Sequence, residues 1–280
     1  MSSRNLLNLA LLGLAGVLAL LIYYQPGFNP EPAPQTVTTL SSDNIQRIQV
    51  VRTTREPLVF MRREDTWFLS GKRELPASQF QISALLTILQ TQALRSYPAD
   101  SIEPASLGLE PPLATLTLDE VVFKIGSIDA LDKLRYLQSG DTVYLVTDRY
   151  QHLINADWPG FVSRKLLPAN TGITQLQLPG NQLSLNADNQ WQTSATDSAD
   201  SGKLQTLIDN WQQARATYIR HYQPASSSES VTLEFSGDAE AITFHIISRT
   251  PELVLARPDL GIQYHLQSEM ETSLLAVPTD

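Results

Sequence analysis

Apolar residues follow two rhythms along this chain. Residues 6–24 are apolar almost without a break, Asn8 being the polar insertion, and end on the aromatic pair Tyr23–Tyr24. A hydrocarbon core of roughly 30 Å takes about 20 apolar helical residues, so this run predicts a transmembrane helix with an interfacial aromatic end. Beyond it the rhythm changes to short stretches in which apolar and polar positions alternate. Residues 45–53, 57–63 and 66–70 predict three strands of a meander. Ser78 with Gln81 three residues later marks a helix start, and Ile82, Leu85, Leu86, Leu89 and Ala93 follow at helical spacing. Residues 113–118, 121–126, 134–139 and 142–147 predict a second antiparallel meander, after which Asp148 and Gln151 cap a short helix carrying Leu153 and Ile154.

The same order then returns over residues 171–277. Residues 173–178, 182–186 and 190–194 echo the first meander, with Trp191 where Trp67 stood. Leu204, Leu207, Ile208 and Trp211 follow Ile82, Leu85, Leu86 and Leu89 at a constant offset of 122 residues. Four more strand-like runs and a cap at Ser268 and Glu271 complete the echo. A repeated order of elements implies a repeated structural unit. The reading is therefore an α+β fold class: an N-terminal transmembrane helix followed by two tandem repeated units of antiparallel meanders with one packed helix each. The domains expected are a stub and anchor over 1–24, a Pro-rich linker over 25–42, and repeat units over 43–170 and 171–280.

Flanking charge orients the anchor. Arg4 and the amino terminus precede it and no Lys or Arg follows until Arg47, which places the N-terminus in the cytoplasm and the rest in the periplasm of a bacterial inner-membrane protein. A cleaved signal peptide has a shorter apolar segment, about 7 to 15 residues, followed by small residues, where this chain has Leu21, Ile22 and the tyrosine pair. Residues 25–35 hold four prolines, which remove backbone donors and fix φ, so this segment reads as a semi-extended spacer. With 42% hydrophobic and 18% charged residues the remainder is an ordinary folded chain. The absence of cysteine rules out disulfides and thiol chemistry. A net charge of -9 argues against nonspecific partnership with nucleic acid.

Candidate chemistry is sparse. No GxSxG, HExxH, P-loop or GxGxxG-after-strand pattern occurs, and no catalytic, metal or cofactor residue is assigned. His152, His221, His245 and His265 are scattered. The sequence YIRHY places Tyr218, Arg220, His221 and Tyr222 after a predicted helix, where aromatic faces with polar tips could line a groove for a polar polymer. Charge is uneven: residues 47–73 carry seven basic residues against three acids, and residues 181–280 thirteen acids against five basic residues. Arg52, Arg55, Arg62 and Arg63 in the basic hairpin are the candidate partner surface.

Residues 75–80 (LPASQF), 107–118 (LGLEPPLATLTL), 123–137 (FKIGSIDALDKLRYL), 143–148 (VYLVTD) and the strand around Trp67 together resemble the bacterial domain-of-unknown-function family numbered 4340. Its members include envelope proteins and auxiliary components linked to gliding-motility-type ABC transporters. The resemblance implies an exported, membrane-tethered accessory protein with other envelope or inner-membrane proteins as partners, and it brings no catalytic residues. The expected function is a noncatalytic accessory or scaffold subunit. The alternative is a periplasmic glycan- or peptide-binding protein or hydrolase with a cleft between the repeats.

Overall fold

The second rhythm of the chain becomes two large antiparallel sheets. The computed structural model describes residues 3–24, 35–71, 74–168, 171–194, 200–225 and 229–277. The spacer expected over residues 25–35 lies outside them except for Gln35. The chain divides into two compact units, Met1–Gln35 and Thr36–Asp280. The first holds α1 (Ser3–Tyr24).

In the second unit, the first sheet contains β1 (Gln35–Thr36), β2 (Arg47–Arg52), β3 (Arg55–Arg63), β4 (Thr66–Ser70), β5 (Leu75–Pro76), β6 (Gln92–Pro98), β7 (Ala114–Leu118), β8 (Val121–Ile128), β9 (Leu134–Ser139) and β10 (Thr142–Thr147). Its strand order is β1-β6-β10-β9-β8-β7-β2-β3-β4-β5. Helix α2 (Gln79–Leu86) precedes β6, and α3 (Gln151–Asn155) follows β10. The second sheet contains β11 (Ile173–Leu178), β12 (Asn181–Leu185), β13 (Trp191–Thr193), β14 (Tyr218–His221), β15 (Ser230–Phe235), β16 (Ile242–Ser248), β17 (Leu253–Arg257) and β18 (Ile262–Leu266), in the order β13-β12-β11-β15-β16-β17-β18-β14. Helix α4 (Ser201–Gln213) precedes β14 and α5 (Met270–Leu275) ends the set. Substituting β11, β12 and β13 for β2, β3 and β4, and β14 to β18 for β6 to β10, turns the first order, without its edge strands β1 and β5, into the second.

Alternation along each strand explains which face is buried. In β2, Ile48, Val50 and Arg52 point inward, while Arg47 and Val51 are exposed. In α4, Leu204, Leu207, Ile208 and Trp211 form the buried stripe, and the Trp211 indole donates to the Leu274 carbonyl of α5 at 2.8 Å. Residues from both sheets and from the connecting segment belong to one hydrophobic core.

That connecting segment also joins the sheets edge to edge. On one side Ser163 N–H donates to the Pro76 carbonyl and Ser78 N–H to the Phe161 carbonyl, both at 2.7 Å, with Val162 bridging Ala77. On the other, Ala216 N–H donates to Arg164 at 2.8 Å and Leu166 N–H to Ala214 at 3.2 Å, with Lys165 bridging Arg215. Residues 162–166 thus run between β5 and the segment that leads into β14, joined to each by backbone hydrogen bonds and a single bridge.

Two expectations are corrected. The α+β class, with one helix on each small meander, gives way to a mostly antiparallel β architecture of ten-stranded and eight-stranded sheets. The helical spacing that ran on to Ala93 ends sooner, because α2 passes into a 3-10 turn at Thr87–Gln90, and Ala93 is the buried residue of β6. The N-terminal transmembrane helix is not supported either. Among the described residues no helix is long and apolar enough to cross a membrane.

Candidate functional site

Where the two sheets meet, a cleft of about 580 Å³ is lined by Arg52, Thr54, Arg55, Glu56, Leu58, Asp157, Trp158 and His221. Three parts of the chain supply it: the β2–β3 hairpin, the segment after α3, and the end of β14.

Arg52 sits at the inward parity of β2, two residues beyond Val50, and is 5% exposed. Its guanidinium donates to the backbone carbonyls of Ala156 and Glu56, and its Nε is buried without a hydrogen-bond partner. Burial lowers its pKa, the neighbouring Arg55 lowers it further, and Asp157 opposes both. Arg55 opens β3 directly opposite Arg52 and reaches Asp157 at 3.7 Å.

Asp157 is the hub. It caps the 3-10 turn Trp158–Phe161 by accepting from the Trp158 N–H at 2.8 Å, and its other oxygen lies 2.7 Å from His221 Nε2. Partial burial pushes its carboxyl upward. The His221 hydrogen bond, the Trp158 N–H and the charges of His221 and Arg55 outweigh this and hold it below the usual carboxylate range. The Trp158 ring meets the His221 imidazole edge-on, with centroids 5.1 Å apart.

The structure therefore brings together part of each residue set singled out in the sequence: two of the four arginines and one of the four residues from YIRHY. Arg52, Arg55 and His221 share the cleft. Arg62 and Arg63 do not: Arg62 donates to the carbonyls of Asp43 and Glu64 and pairs with Asp65, while Arg63 pairs with Glu74. YIRHY is split because it forms strand β14 instead of a post-helix loop, so adjacent residues face opposite ways. Tyr218 stacks on His265 at 4.4 Å and donates its hydroxyl to Glu252 at 2.7 Å, with Arg220 lying over the Tyr218 ring at 5.0 Å. Tyr222 N–H donates to the Gly261 carbonyl.

Glu252 also accepts from His265 Nδ1 at 2.9 Å. Gln263 Nε2 lies 3.0 Å from His265 Nε2, so an amide N–H donated there leaves the proton of a neutral imidazole on Nδ1, facing Glu252. The Tyr218 and His265 hydrogen bonds lower the Glu252 pKa. A shallower cavity of about 370 Å³ adjoins this network, lined by Thr217, Glu252, Gln267, Ser268 and Glu269 among others. No group of three or more His, Cys, Asp or Glu side chains is arranged to hold a metal among the described residues.

Asp157 and Trp158 were missed in the sequence. The signal was present: Asp before Trp-Pro-Gly is a cap followed by a proline in the first turn, a short helical start just ahead of the second repeat.

No curated protein and no solved structure matches the chain. A family model described as a domain of unknown function, DUF4340, matches residues 67–234, a span from β4 into β15 that takes in Asp157, Trp158 and His221 and leaves Arg52 and Arg55 outside. That match covers more than half of the sequence, and the chain belongs to the DUF4340 family.

Proposed function

We propose that this chain is a noncatalytic accessory protein of the bacterial envelope, associated with the inner membrane, with a β-sheet body that binds other components in the periplasm. The cleft carries this reading. Its polar groups are tied to one another and to backbone carbonyls around a partly exposed tryptophan, an arrangement suited to recognition. For the tether, Leu11, Leu12, Leu14, Val17, Leu18, Leu20, Ile22 and Tyr23 of α1 are all exposed, an apolar surface that calls for a membrane or a partner. An ABC-type transport or envelope-assembly complex is the partner class that the family resemblance suggests.

Mild crosslinking of the full chain in membranes, followed by purification, tests the reading. It expects recovery of the chain in the membrane fraction together with an inner-membrane protein, and loss of membrane association when residues 3–24 are deleted. A full-length chain found in the soluble fraction, with no crosslinked envelope protein, overturns it.

A second reading is favoured by Trp158. The cleft holds a glycan, with the indole as a stacking surface and Thr54, Glu56, Asp157 and His221 as hydroxyl partners. Saturable binding of oligosaccharides with a change in tryptophan emission supports it, and silence of that emission counts against it.

A further inference from the structure

We propose that the cleft at the junction of the sheets recognises an acidic sugar within a glycan, its carboxylate drawn by Arg52 and Arg55 and its ring set against Trp158. This deepens the glycan reading and rests on it.

The charge arrangement carries the inference. Asp157 is already engaged by His221, the Trp158 N–H and Arg55. Arg52 is partnered by two backbone carbonyls, which satisfy donors but do not neutralise its charge, and its Nε is buried and unpaired. A positive charge therefore lies beneath the cleft without a committed carboxylate. Arg55, with its side chain about a third exposed, reaches Asp157 at 3.7 Å, beyond hydrogen-bond distance, so its guanidinium keeps donors for a carboxylate.

The remaining lining narrows the ligand. Glu56 would repel a simple anion but accepts hydroxyl hydrogen bonds, and Thr54 adds a hydroxyl of its own. A ligand carrying both an anionic group and several hydroxyls suits this mixture better than phosphate does. The volume, about 580 Å³, lies in the range of small-ligand sites. An extended peptide suits it less, because the nearby sheet edges are already paired with residues 162–166 and offer little backbone for strand addition.

Tryptophan emission gives a local readout, since Trp67, Trp191 and Trp211 are buried and Trp158 is partly exposed. The full chain in detergent is titrated with trigalacturonate, maltotriose and a glutamate-rich peptide, with calorimetry in parallel. Saturable binding of trigalacturonate, at least tenfold tighter than maltotriose, is expected. Arg55→Gln should erase that difference while leaving the thermal melt unchanged. Equal binding of the two sugars keeps a glycan in the cleft and overturns the acidic specificity. Binding of neither sugar overturns both readings. Tighter binding of the peptide, or an Arg55→Gln variant that still prefers trigalacturonate, overturns the acidic-sugar assignment.

Discussion

Single side chains divide into those whose role could be read from their neighbours in sequence and those set by tertiary placement. Arg52 was legible: the alternation of Ile48 and Val50 points it inward, although its place in a basic hairpin suggested a partner surface. Arg135 was not, because its partners come from β8, the segment after β10 and the start of α3. It is 1% exposed, donates through Nε and Nη2 to the two Asp148 oxygens at 3.0 and 2.8 Å, and satisfies the Gly126 carbonyl and Gln151 as well. Removing one partner of such a buried pair leaves polar groups stranded, so Arg135→Met should destabilise the chain by about 3–5 kcal/mol in urea unfolding. A loss under about 1 kcal/mol would show that the site relaxes or hydrates freely. Glu252 yields a pH prediction. Its lowered pKa means that its bonds to Tyr218 and His265 favour the ionised form, are fully present above the ordinary Glu value of about 4.3, and weaken as pH falls through the lower folded value. A carboxyl NMR titration should place its midpoint below that of free Glu, and Tyr218→Phe should raise it. An unmoved midpoint in Tyr218→Phe would remove the Tyr218 hydroxyl as the leading cause.

At the scale of elements, β-branched runs with clean alternation were the most legible. Residues 113–118, 121–126, 134–139 and 142–147 fall on β7 to β10, with small differences at their ends. The strands overlooked are β1, β5, β6 and β14: β1, β5 and β14 are short edge elements, and β6 pairs with β10 far along the chain, so their pattern carried little local signal. Gly126 shows why end residues mislead. It closes the strand expected over residues 121–126, yet it lies inside β8 at a register shift against β9, packed beneath the 3-10 turn Pro104–Leu107. A Cβ there would meet the Leu107 carbonyl oxygen at 2.5 Å. Backbone must move to admit it, so Gly126→Ala should cost about 1–3 kcal/mol in urea unfolding. Gly140 is the contrasting case: it turns between β9 and β10 at φ 54 with open space around its Cα, so alanine there strains only the backbone. If both alanine variants lost equal stability, close packing at Gly126 would not be the cause.

For the whole molecule, the informative feature is that two sheets of matching strand order share one core and are joined by residues 162–166. Sequence reading separated residues 43–170 from 171–280 because the repetition is visible along the chain, whereas the joint is built from Pro76, Ala77, residues 161–166 and residues 214–216, which carry no repeated pattern. Phe161 is fully buried and packs on Phe60 at 5.5 Å, while Leu166 and Leu167 enter the same core. Energetically this joint resembles the inside of a domain more than a linker, since breaking it exposes apolar side chains and strands backbone hydrogen bonds. The two halves should therefore unfold together. Urea titration of variants retaining only Trp67, which reports the first sheet, or only Trp211, which reports the second, should give coincident midpoints. Ala216→Pro removes the N–H that Arg164 accepts and should lower stability by about 1–3 kcal/mol. Its further effect is diagnostic: with the joint weakened, the Trp67 and Trp211 transitions should begin to separate. Midpoints already apart in the parent chain would mean that the connecting segment does not couple the sheets, and the cleft between them would lose the rigid frame on which its proposed recognition depends.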